Sequence, residues 1–547
     1  METYTIALKF KYNEDADSSE ITYFELYSIN KRSLITGVSF DALMEILSNN
    51  APCTVYCHEF DFWGEFVMYW LMHNGFTYHE TLNGEKTLNC LVSSLGDIYN
   101  IDALVSSVSN GKGKTKKKII HFINSSKIIP VDEDELEEAF ATSGTRAEIL
   151  ADAIMHFLGN GLNKRTIGSD AVSMLKTMTP GYDVKFPDIT KIDNYLREAY
   201  GGAFLYCNPE TTRESNRDGV VIKEVGPGYS LDVNSLYPWI LDSMPLPYGY
   251  PVYFEGKYDD WDYWKEHEHY PLYVQRFEAC FELKAGKKPI IQQKEKFYKT
   301  NQYIYGTGLE SIRLTLTSVE LKLFFETYDV YSIEYIDGYA FHAKTGMFSD
   351  FISFWREKKE EASRNGNKAQ RQIAKLFLNN IGGKFATKLQ FKSRYPAIDY
   401  DDTITYNELP MRNVKGMYLP VACFMISYAK DYIVRFANML GDKFLYSDTD
   451  SLHFLGEDIP DYIPISATEF GAFKVEYKFV AGKYIHAKCY IEISEDGEIH
   501  TAVAGLPKEI QDKISYEDFK PGFKVSGKLI PFRVVGGAKL VESVYTL

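Results

Sequence analysis

Paired cysteines are lacking in this sequence. Its seven cysteines are scattered along 547 residues, and the two closest, Cys53 and Cys57, are accompanied by no second pair. A disulfide framework and the common types of zinc motif are therefore excluded. An odd number of cysteines without a framework is typical of a reducing compartment, so we expect a cytoplasmic protein.

Long apolar runs and an excess of positive charge are lacking as well. The longest apolar stretch, LPVACFMISYA at 419–429, is too short to cross a bilayer, and the first ten residues do not resemble a signal peptide. The 60 Lys and Arg residues are outnumbered by 75 Asp and Glu, which gives a net charge of -15. We expect no membrane contact, and any nucleic-acid contact must come from individually placed residues.

The chain is too long for one hydrophobic core, so we expect several domains. Strand-like alternation over residues 1–60 precedes helical patterns at 65–76 and 146–161, and residues 350–386 are strongly helical. Strands and helices do not alternate regularly, as they would in a doubly wound sheet. The pattern therefore predicts an α+β fold.

Two aspartates lie close together in YSDTDSLH, which spans residues 446–453. Apolar residues flank the stretch, and the pattern predicts a strand, a tight turn and a second strand. Asp448 and Asp450 would then repel each other at the tip of a hairpin, unless a cation such as a divalent metal lies between them. A solvated turn is the other interpretation, because aspartate is a common turn residue.

A third carboxylate and a row of polar side chains accompany this hairpin. Asp232 ends an apolar strand in GYSLDVNSLYP, at 228–238. Farther along, Arg371, Lys375 and Asn379 recur every four residues, so on a helix they share one face and drift by only about 40° per step. The opposite face, which we expect to pack, carries three apolar residues: Ile373, Leu376 and Phe377.

Each of these features has an ordinary structural explanation, but together they describe a two-metal site for phosphoryl transfer. Asp232 and Asp450 would bridge two Mg²⁺ ions about 3.5–4 Å apart, and Mn²⁺ is a possible substitute. Lys375 and Arg371 would hold a triphosphate. The sequence therefore predicts an enzyme of phosphoryl transfer.

Several motifs carry a resemblance to a known family. DVNSLYP, KLFLNNIGGKFA and YSDTDS resemble, in this order, the three polymerase motifs of family B DNA polymerases. AYGGAF at 199–204, KCY at 488–490 and YEDFKPGF at 516–523 resemble further motifs of the protein-primed branch found in small tailed phages. The resemblance covers essentially the whole chain, and the ordered set of motifs makes it specific.

The resemblance implies an N-terminal RNase H-like, exonuclease-like domain followed by a right-hand polymerase with palm, fingers, thumb and two insertion subdomains. The implied ranges are 1–172 for the exonuclease-like domain, 173–259 and 419–504 for the palm, 260–350 and 387–418 for the insertions, 351–386 for the fingers and 505–547 for the thumb. A monomer in the cytoplasm of the host cell would replicate DNA with strand displacement. The implied partners are primer-template DNA, dNTPs and a terminal protein that supplies the priming group.

The resemblance also assigns roles by position. Catalysis would rest on Asp232, Asp448 and Asp450, and the metal ligands would be Asp232, Val233 and Asp450. Six residues would bind the nucleotide: Ser235, Leu236, Tyr237, Arg371, Lys375 and Asn379. Four would contact DNA: Tyr200, Gly202, Lys488 and Tyr490. Of these, Tyr237 would lie under the incoming sugar, where its ring excludes a 2′-hydroxyl.

The carboxylates that a 3′–5′ exonuclease of this family needs are missing at the matching positions. Residues of other kinds stand there: Lys9 and Lys11 in the first motif, Trp63 in the second, and Thr142 and Arg146 in the third. Cations at ligand positions repel a metal, so we predict that proofreading is lost. A two-residue shift in the second motif would restore Asp61 as a ligand but would not restore the first motif.

The helix motif departs from the family as well. The family has a tyrosine before the closing glycine, where this chain has Gly382 followed by Gly383, and Asn380 stands where a serine is usual. That tyrosine packs at the minor-groove side of the new base pair. Its absence, together with the lost proofreading, predicts low fidelity.

Three functions are compatible with these observations. The first is template-directed, protein-primed DNA synthesis without proofreading. The second is untemplated or specialised synthesis at the same site, such as tailing or lesion bypass, which the missing tyrosine and the acidic charge favour. The third is an inactive binding scaffold, against which the retained Asp232, Asp450 and Lys375 argue.

Overall fold

The computed structural model describes residues 1–110, 114–131, 133–140, 144–216, 219–260, 269–292 and 303–547, so that Thr142 lies outside the described residues. The fold mixes helices with largely antiparallel sheets, as the α+β prediction requires. All seven cysteines are free thiols. Within the described ranges, every helix is too short or too polar to span a membrane.

The first 199 residues form a mixed sheet with associated helices. Its strands are β1 Glu2–Asn13, β2 Ser18–Ser28, β3 Ser33–Gly37, β4 Cys53–Cys57, β5 Thr77–Tyr78, β6 Thr87–Ser93, β7 Ile98–Asn110 and β8 Lys114–Asn124. The helices are α1 Phe40–Asn49, α2 Phe60–His73, α3 Glu133–Phe140, α4 Arg146–Gly159, α5 Ile167–Met178, α6 Tyr182–Lys185 and α7 Asp193–Ala199. In the sheet, β4 pairs in parallel with both β1 and β8, which places the start of β1 in the middle of the sheet.

The middle of the chain supplies two strands of a second sheet, all of a third sheet, and the longest polar helices. The strands are β9 Leu205–Cys207, β10 Arg213–Asn216, β11 Gly219–Ile222, β12 Gly228–Val233, β13 Leu246–Glu255, β14 Leu272–Leu283, β15 Ile312–Thr317 and β16 Tyr328–Lys344. The helices are α8 Pro209–Thr212, α9 Leu236–Ser243, α10 Ser318–Thr327, α11 Ser349–Arg364 and α12 Lys368–Phe385. Strands β13, β16, β14 and β15 form the third sheet in that order.

The remainder of the chain completes the second sheet. The strands in this part of the chain are β17 Gln390–Phe391, β18 Ser393–Ile398, β19 Ile404–Glu408, β20 Arg412–Asn413, β21 Phe444–Asp448, β22 Ser451–Leu455, β23 Phe473–His486, β24 Cys489–Ser494, β25 Ile499–Val503, β26 Lys524–Val534 and β27 Gly537–Thr546. The helices are α13 Leu419–Leu440 and α14 Lys508–Gln511. The second sheet has the order β25-β24-β23-β12-β22-β21-β9, and each neighbouring pair is antiparallel.

The 387–418 segment joins the N-terminal sheet. Strand β18 pairs with β6, where Ser393 lies opposite Ser93, and β19 pairs with β18 at the edge. Ile404 of β19 is buried in the same hydrophobic core as the strands of the first sheet. This segment therefore forms one continuous sheet with residues more than 300 positions earlier in the chain.

The C-terminal hairpin, β26 and β27, docks on the N-terminal unit, which is the first sheet with its associated helices. Ser19 donates its backbone N–H to Val535 O at 2.8 Å, and the approach is so close that a Cβ on Gly536 would lie 1.9 Å from Ser19 O. Arg533 Nε donates to Glu65 Oε1 at 2.9 Å, and Tyr406 donates to the other carboxylate oxygen at 3.1 Å. One buried carboxylate on α2 thus connects the hairpin with β19.

The buried carboxylate of Glu65 destabilises the fold unless the guanidinium of Arg533 lies beside it. Burial raises the pKa of Glu65, and the guanidinium of Arg533 opposes that effect. Arg533 also lies over the ring of Tyr406, 4.6 Å from its centroid. A carboxylate that loses its only nearby cation while it stays buried is strongly destabilising.

We expect Arg533→Ala to weaken the docking of the C-terminal hairpin by about 2–4 kcal/mol, because the carboxylate of Glu65 would stay buried without its cation. Hydrogen exchange measured by mass spectrometry should show faster exchange in β26 and β27. The matched control is Arg313→Ala, which breaks an exposed ion pair with Glu278 and should cost less than about 1 kcal/mol. Equal exchange in both variants would contradict the expectation.

Candidate active site

The two aspartates of YSDTDSLH lie at the tip of a hairpin, as predicted. Strand β21 ends at Asp448, β22 begins at Ser451, and Thr449 and Asp450 form the turn between them. Thr449 has a left-handed backbone with φ of 64°, and its N–H donates to Phe204 O at 2.8 Å. The turn is therefore tied to the segment that leads into β9.

Strand pairing brings Asp232 to the same place. Asp232 lies opposite Ser451 in the ladder between β12 and β22, and the backbone N–H of Val233 donates to Asp450 O at 2.9 Å. Burial raises the pKa of Asp232 to about 7, and the charge of Asp450 adds to the effect. Burial likewise raises the pKa of Asp450 to about 6. Lys474 lowers the pKa of Asp232 and Lys488 that of Asp450, but neither lysine offsets the lost hydration, so a bound cation would stabilise the charged pair.

Asp448 has a different environment from the other two carboxylates. Its Oδ2 accepts the ammonium of Lys488 at 2.9 Å, so its charge is already balanced. Lys488 lies in the turn between β23 and β24 with φ of 59°, and its N–H donates to the hydroxyl of Tyr446 at 3.0 Å. The structure thus joins Asp448 with a residue that the sequence predicted to hold the primer strand.

The chemistry of this donor set fits Mg²⁺ or Mn²⁺. Across the part of the chain that the structure describes, no group of three or more His, Cys, Asp or Glu is close enough to form a metal cage of protein side chains. Asp232 and Asp450 would instead supply two carboxylates, which leaves further positions to substrate oxygens and water. Mg²⁺ is commonly bound in this way, through one or two carboxylates and the phosphates of a substrate.

A buried network behind the hairpin was not found from the sequence. Glu492 in β24 is fully buried, and its carboxylate accepts from Tyr477 Oη at 2.6 Å, from the hydroxyl of Tyr484, and from His453 Nδ1 at 3.0 Å. Burial raises the pKa of Glu492, but His453 and the hydrogen bonds outweigh it and hold that pKa below its usual range. The available signal was a glutamate in the middle of an apolar strand, CYIEIS.

This network supports the hairpin and the predicted primer contact. His453 belongs to β22, three residues after Asp450, and its ring lies 5.0 Å from that of Tyr490. Tyr490 also packs against Tyr446, with ring centroids 5.1 Å apart. Tyr490 therefore lies in an aromatic layer directly behind the turn that carries the aspartates.

Helix α12 has the two faces that the sequence predicts. Arg371, Lys375 and Asn379 are exposed, whereas the three apolar residues of the opposite face are buried. Phe377 stacks on Trp355 of α11 with ring centroids 4.1 Å apart, which fixes the helix against its neighbour. The exposed side therefore presents two cations and an amide.

A third cation, which the sequence did not indicate, lies beside this row. Burial lowers the pKa of Lys359 on α11, and the nearby charges of Arg371 and Lys375 lower it further. Three cations that repel one another mark a site that attracts anions. In the sequence, Lys359 is the last residue of the stretch EKK at 357–359, and nothing there distinguishes it from Lys358.

The start of α9 connects the carboxylates with this helix. Ser235 is its N-terminal flanking residue, with φ of 51°, and the first helical bond runs from Trp239 N to Ser235 O. The amides of Leu236 and Tyr237 therefore belong to the first turn, where N–H groups have no partner within the helix. Ser235, Leu236 and Tyr237 lead from the end of β12, which carries Asp232, into the first turn of α9.

The AYGGAF segment also reaches the site. Half-buried Tyr200 and exposed Gly202 lie in the loop that follows α7. Two residues beyond Gly202, the carbonyl of Phe204 accepts from the hairpin turn, and Leu205 pairs with Asp448. The loop is thereby held beside the aspartates.

Comparisons with known proteins agree with this geometry. The model of the family described as "DNA polymerase type B, organellar and viral" matches residues 148–468, which is more than half of the chain. The chain belongs to this family. The enzyme is thus a type B DNA polymerase, and its fold combines an exonuclease-like domain with a right hand of palm, fingers and thumb.

Relatives match the polymerase over nearly its whole length. The DNA polymerase of Bacillus phage M2 is 31% identical over 574 aligned positions, which cover 96% of each chain. That of Bacillus phage phi29 is 32% identical over 542 positions, which cover 90% of each chain. The structure of phi29 DNA polymerase complexed with primer-template DNA and incoming nucleotide has a TM-score of 0.89 at 29% identity, and covers 100% of this chain and 99% of that one.

The N-terminal unit of the polymerase contains a cleft with few carboxylates. Ten residues line it: Ile6, Ala7, Leu8, His58, Trp63, Leu136, Glu137, Arg146, Ile149 and Leu150. The cleft brings Trp63 and Arg146 together, whereas Lys9 and Lys11 are exposed farther along β1. Among the described lining residues, Glu137 is the single acidic side chain, and Ala7 and Leu8 occupy the β1 side.

Asp61 has a structural role outside this cleft. Its Oδ1 accepts from the backbone N–H of Ile98 at 2.6 Å, and its Oδ2 pairs with Lys127 Nζ at 3.1 Å. It lines a separate cleft near the C-terminal hairpin. The two-residue shift considered for the second exonuclease motif therefore brings no carboxylate to the cleft that holds Trp63.

We expect Asp232→Asn to stabilise the metal-free polymerase much more at pH 8 than at pH 4. The pKa values of about 7 for Asp232 and about 6 for Asp450 lie above the value of about 4 for unfolded aspartate. The folded state therefore holds extra protons, and it loses stability as pH rises from about 4 to 7. The gain at pH 8 should be roughly 1–3 kcal/mol. Thermal melts in EDTA at both pH values test this, with exposed Asp329→Asn as the control. A gain independent of pH would refute the explanation.

Proposed function

We propose that the protein is a template-directed, protein-primed DNA polymerase that adds dNTPs to a 3′-hydroxyl by two-metal phosphoryl transfer and lacks 3′–5′ proofreading. The observation that carries the proposal is the pair of half-buried carboxylates, Asp232 and Asp450, which the pairing of β12 with β22 brings together and whose pKa values are raised by lost hydration. The exposed cations of α12 supply the complementary site for phosphates.

The metal ligands in this proposal are Asp232, Asp450 and the backbone carbonyl of Val233. Two Mg²⁺ ions, or Mn²⁺, would lower the pKa of the attacking hydroxyl and stabilise the leaving pyrophosphate. Asp448 would act from beside the pair, where Lys488 balances its charge. The Val233 amide, bonded to Asp450 O, keeps the two strands in register at the ligands.

The chain's own residues would orient the nucleotide. The cations Arg371 and Lys375, joined by Lys359, neutralise the triphosphate, and the first amides of α9 donate to it. Asn379 borders the new base pair, and the ring of Tyr237 lies under the sugar. In the reaction the 3′-oxygen of the primer bonds to the α-phosphorus, and the bond to the pyrophosphate oxygen breaks.

Contacts to DNA come from the segments around the hairpin. Lys488 is half exposed beside Asp448 and Tyr490 lies behind the turn, so together they suit the primer strand. Tyr200 and Gly202 lie in the loop held against the same turn. With a net charge of -15, the protein depends on such local contacts to bind DNA.

The loss of proofreading rests on the composition of the N-terminal cleft. Two metal ions need several carboxylates, and the described lining of the cleft offers Glu137 together with mostly apolar residues and Arg146. Cations such as Arg146 oppose metal binding. The N-terminal unit would then serve as a platform for the primer strand and the priming protein.

The priming protein, the domain ranges, the oligomeric state and the location complete the proposal. A terminal protein would donate the first hydroxyl, as the resemblance to the protein-primed branch implies. The ranges of the exonuclease-like domain, palm, insertions, fingers and thumb that the resemblance implies are part of the same proposal. The enzyme would act as a monomer in the host cytoplasm, where seven free thiols are stable.

Asp450→Ala should reduce Mg²⁺-dependent extension of a 5′-labelled primer by roughly 10³-fold or more, because removing a metal ligand costs several kcal/mol of transition-state stabilisation. Exposed Asp329→Ala on the third sheet is the control and should extend normally. Wild-type products should end at the template's length and should stall when one dNTP is omitted. Products that run past the template or ignore the omission would instead indicate untemplated synthesis.

The same primer, incubated with Mg²⁺ and no dNTPs, should stay intact. Among the described residues that line the cleft of the N-terminal unit, one carboxylate, that of Glu137, is too few to hold the metals of an exonuclease. Denaturing gels over several hours provide the measurement, and a 3′–5′ exonuclease added to a parallel reaction shows that the primer is degradable. A ladder of shortened wild-type products would show that the cleft is active.

A further inference from the structure

Two consecutive glycines lie inside α12, at Gly382 and Gly383, with the helix continuing to Phe385. Glycine in a helix interior is unfavourable because the unfolded chain loses more conformational freedom there. A helix that accepts this penalty twice needs a reason for it. The surroundings of the two glycines differ, and only one of them has a packing reason.

Gly382 marks a close approach of three helices. A Cβ at this position would lie 2.9 Å from both Sδ and Cε of Met425 and 4.0 Å from Cβ of Tyr237. Met425 is buried on α13, and Tyr237 lies in the first turn of α9. A Cβ on Gly383, in contrast, would meet no described atom within 4 Å. The thioether of Met425 therefore fills the volume that a side chain at 382 would need.

This contact lies next to the nucleotide site. Tyr237 follows Asp232 by five residues, and Asn379 precedes Gly382 by about one helical turn. The distance between α12 and α9 therefore fixes the space between the phosphate-binding helix and the ring of Tyr237. Met425 packs against Gly382, the same glycine at which α12 comes close to Tyr237 of α9.

We propose that Met425 is a specificity-determining residue of the polymerase. Packed against Gly382, it sets how closely α12 approaches α9, holds the ring of Tyr237 in place, and so sets the width of the pocket for the sugar and base of the incoming nucleotide. This inference rests on the proposed function only in placing the nucleotide beside Tyr237. A methionine suits the position because its unbranched thioether adapts to an irregular gap.

Met425→Ala should leave the ring of Tyr237 less constrained. Discrimination is the ratio of kcat/KM for a dNTP to kcat/KM for the matching rNTP, and we expect it to fall about tenfold, mainly through a higher KM for the dNTP. Met425→Leu keeps most of the volume and should retain discrimination. Met44→Ala removes an equally buried methionine from α1, far from the site, and should lower thermal stability without changing discrimination.

Gly382→Ala tests the contact from the other side. Alone, the added methyl group should push Met425 or α12 aside and raise the KM for the dNTP. Combined with Met425→Ala, which vacates the space, the same change should cost much less than the product of the two single effects. Independent, multiplicative effects would overturn the inference, as would equal discrimination in Met425→Ala and wild type.

Tyr237→Ala separates this inference from the proposed function. If Tyr237→Ala lowers discrimination and Met425→Ala does not, the role of Met425 is refuted and the placement of the nucleotide stands. If Tyr237→Ala leaves discrimination unchanged, the nucleotide does not lie against this ring, and both the placement and the role of Met425 are refuted. Melting temperatures of all variants identify any that fail to fold.

Discussion

The burial of Asp232 and Asp450 close to each other is the constraint on which the site depends. Asp232 lies on β12 and Asp450 in the turn that leads into β22, and the pairing of β12 with β22 together with the bond from Val233 N–H to Asp450 O holds the two residues close together. Lost hydration is the main cost for both carboxylates, and the negative charge of Asp450 adds to it at Asp232. The folded protein therefore keeps an unfavourable arrangement of charge that a bound cation converts into a favourable one. Binding energy for the metal comes in part from this relief.

Such an arrangement needs a rigid support, which the residues behind the hairpin provide. Glu492 accepts three hydrogen bonds in the interior, and two of its donors, His453 and Tyr484, belong to the strands on either side of β12. A buried carboxylate with fewer donors would be costly, whereas a fully satisfied one restricts the rotamers of all its partners. The strands that hold the aspartates are thus connected twice, by backbone ladders and by this network. Lys488 extends the connection to Asp448 through its contact with Tyr446.

Local patterns in the sequence were sufficient for the parts of the site that are close in sequence. The period of four in α12 predicts its exposed row and its buried face, and the alternation around Asp448 and Asp450 predicts the hairpin. The family resemblance brought Asp232 and Lys488 to the same site. What the sequence could not show depends on pairing between distant segments. Nothing near Ser393 indicates a partner at Ser93, and nothing near Met425 indicates a glycine of another helix. Lys359 and Glu492 likewise become recognisable only when their neighbours in space are known.

The junction of β18 with β6 has a consequence for how this chain tolerates change. The N-terminal unit supplies the strand edge on which the 387–418 segment forms, and its α2 holds the C-terminal hairpin through Glu65. Whatever chemistry its cleft performs, this unit is an architectural part of the polymerase and cannot be deleted as a separate module. Its cleft residues are consequently free to diverge while its outer surfaces are not. A mutation that abolishes the activity of such a unit leaves its structural role in place.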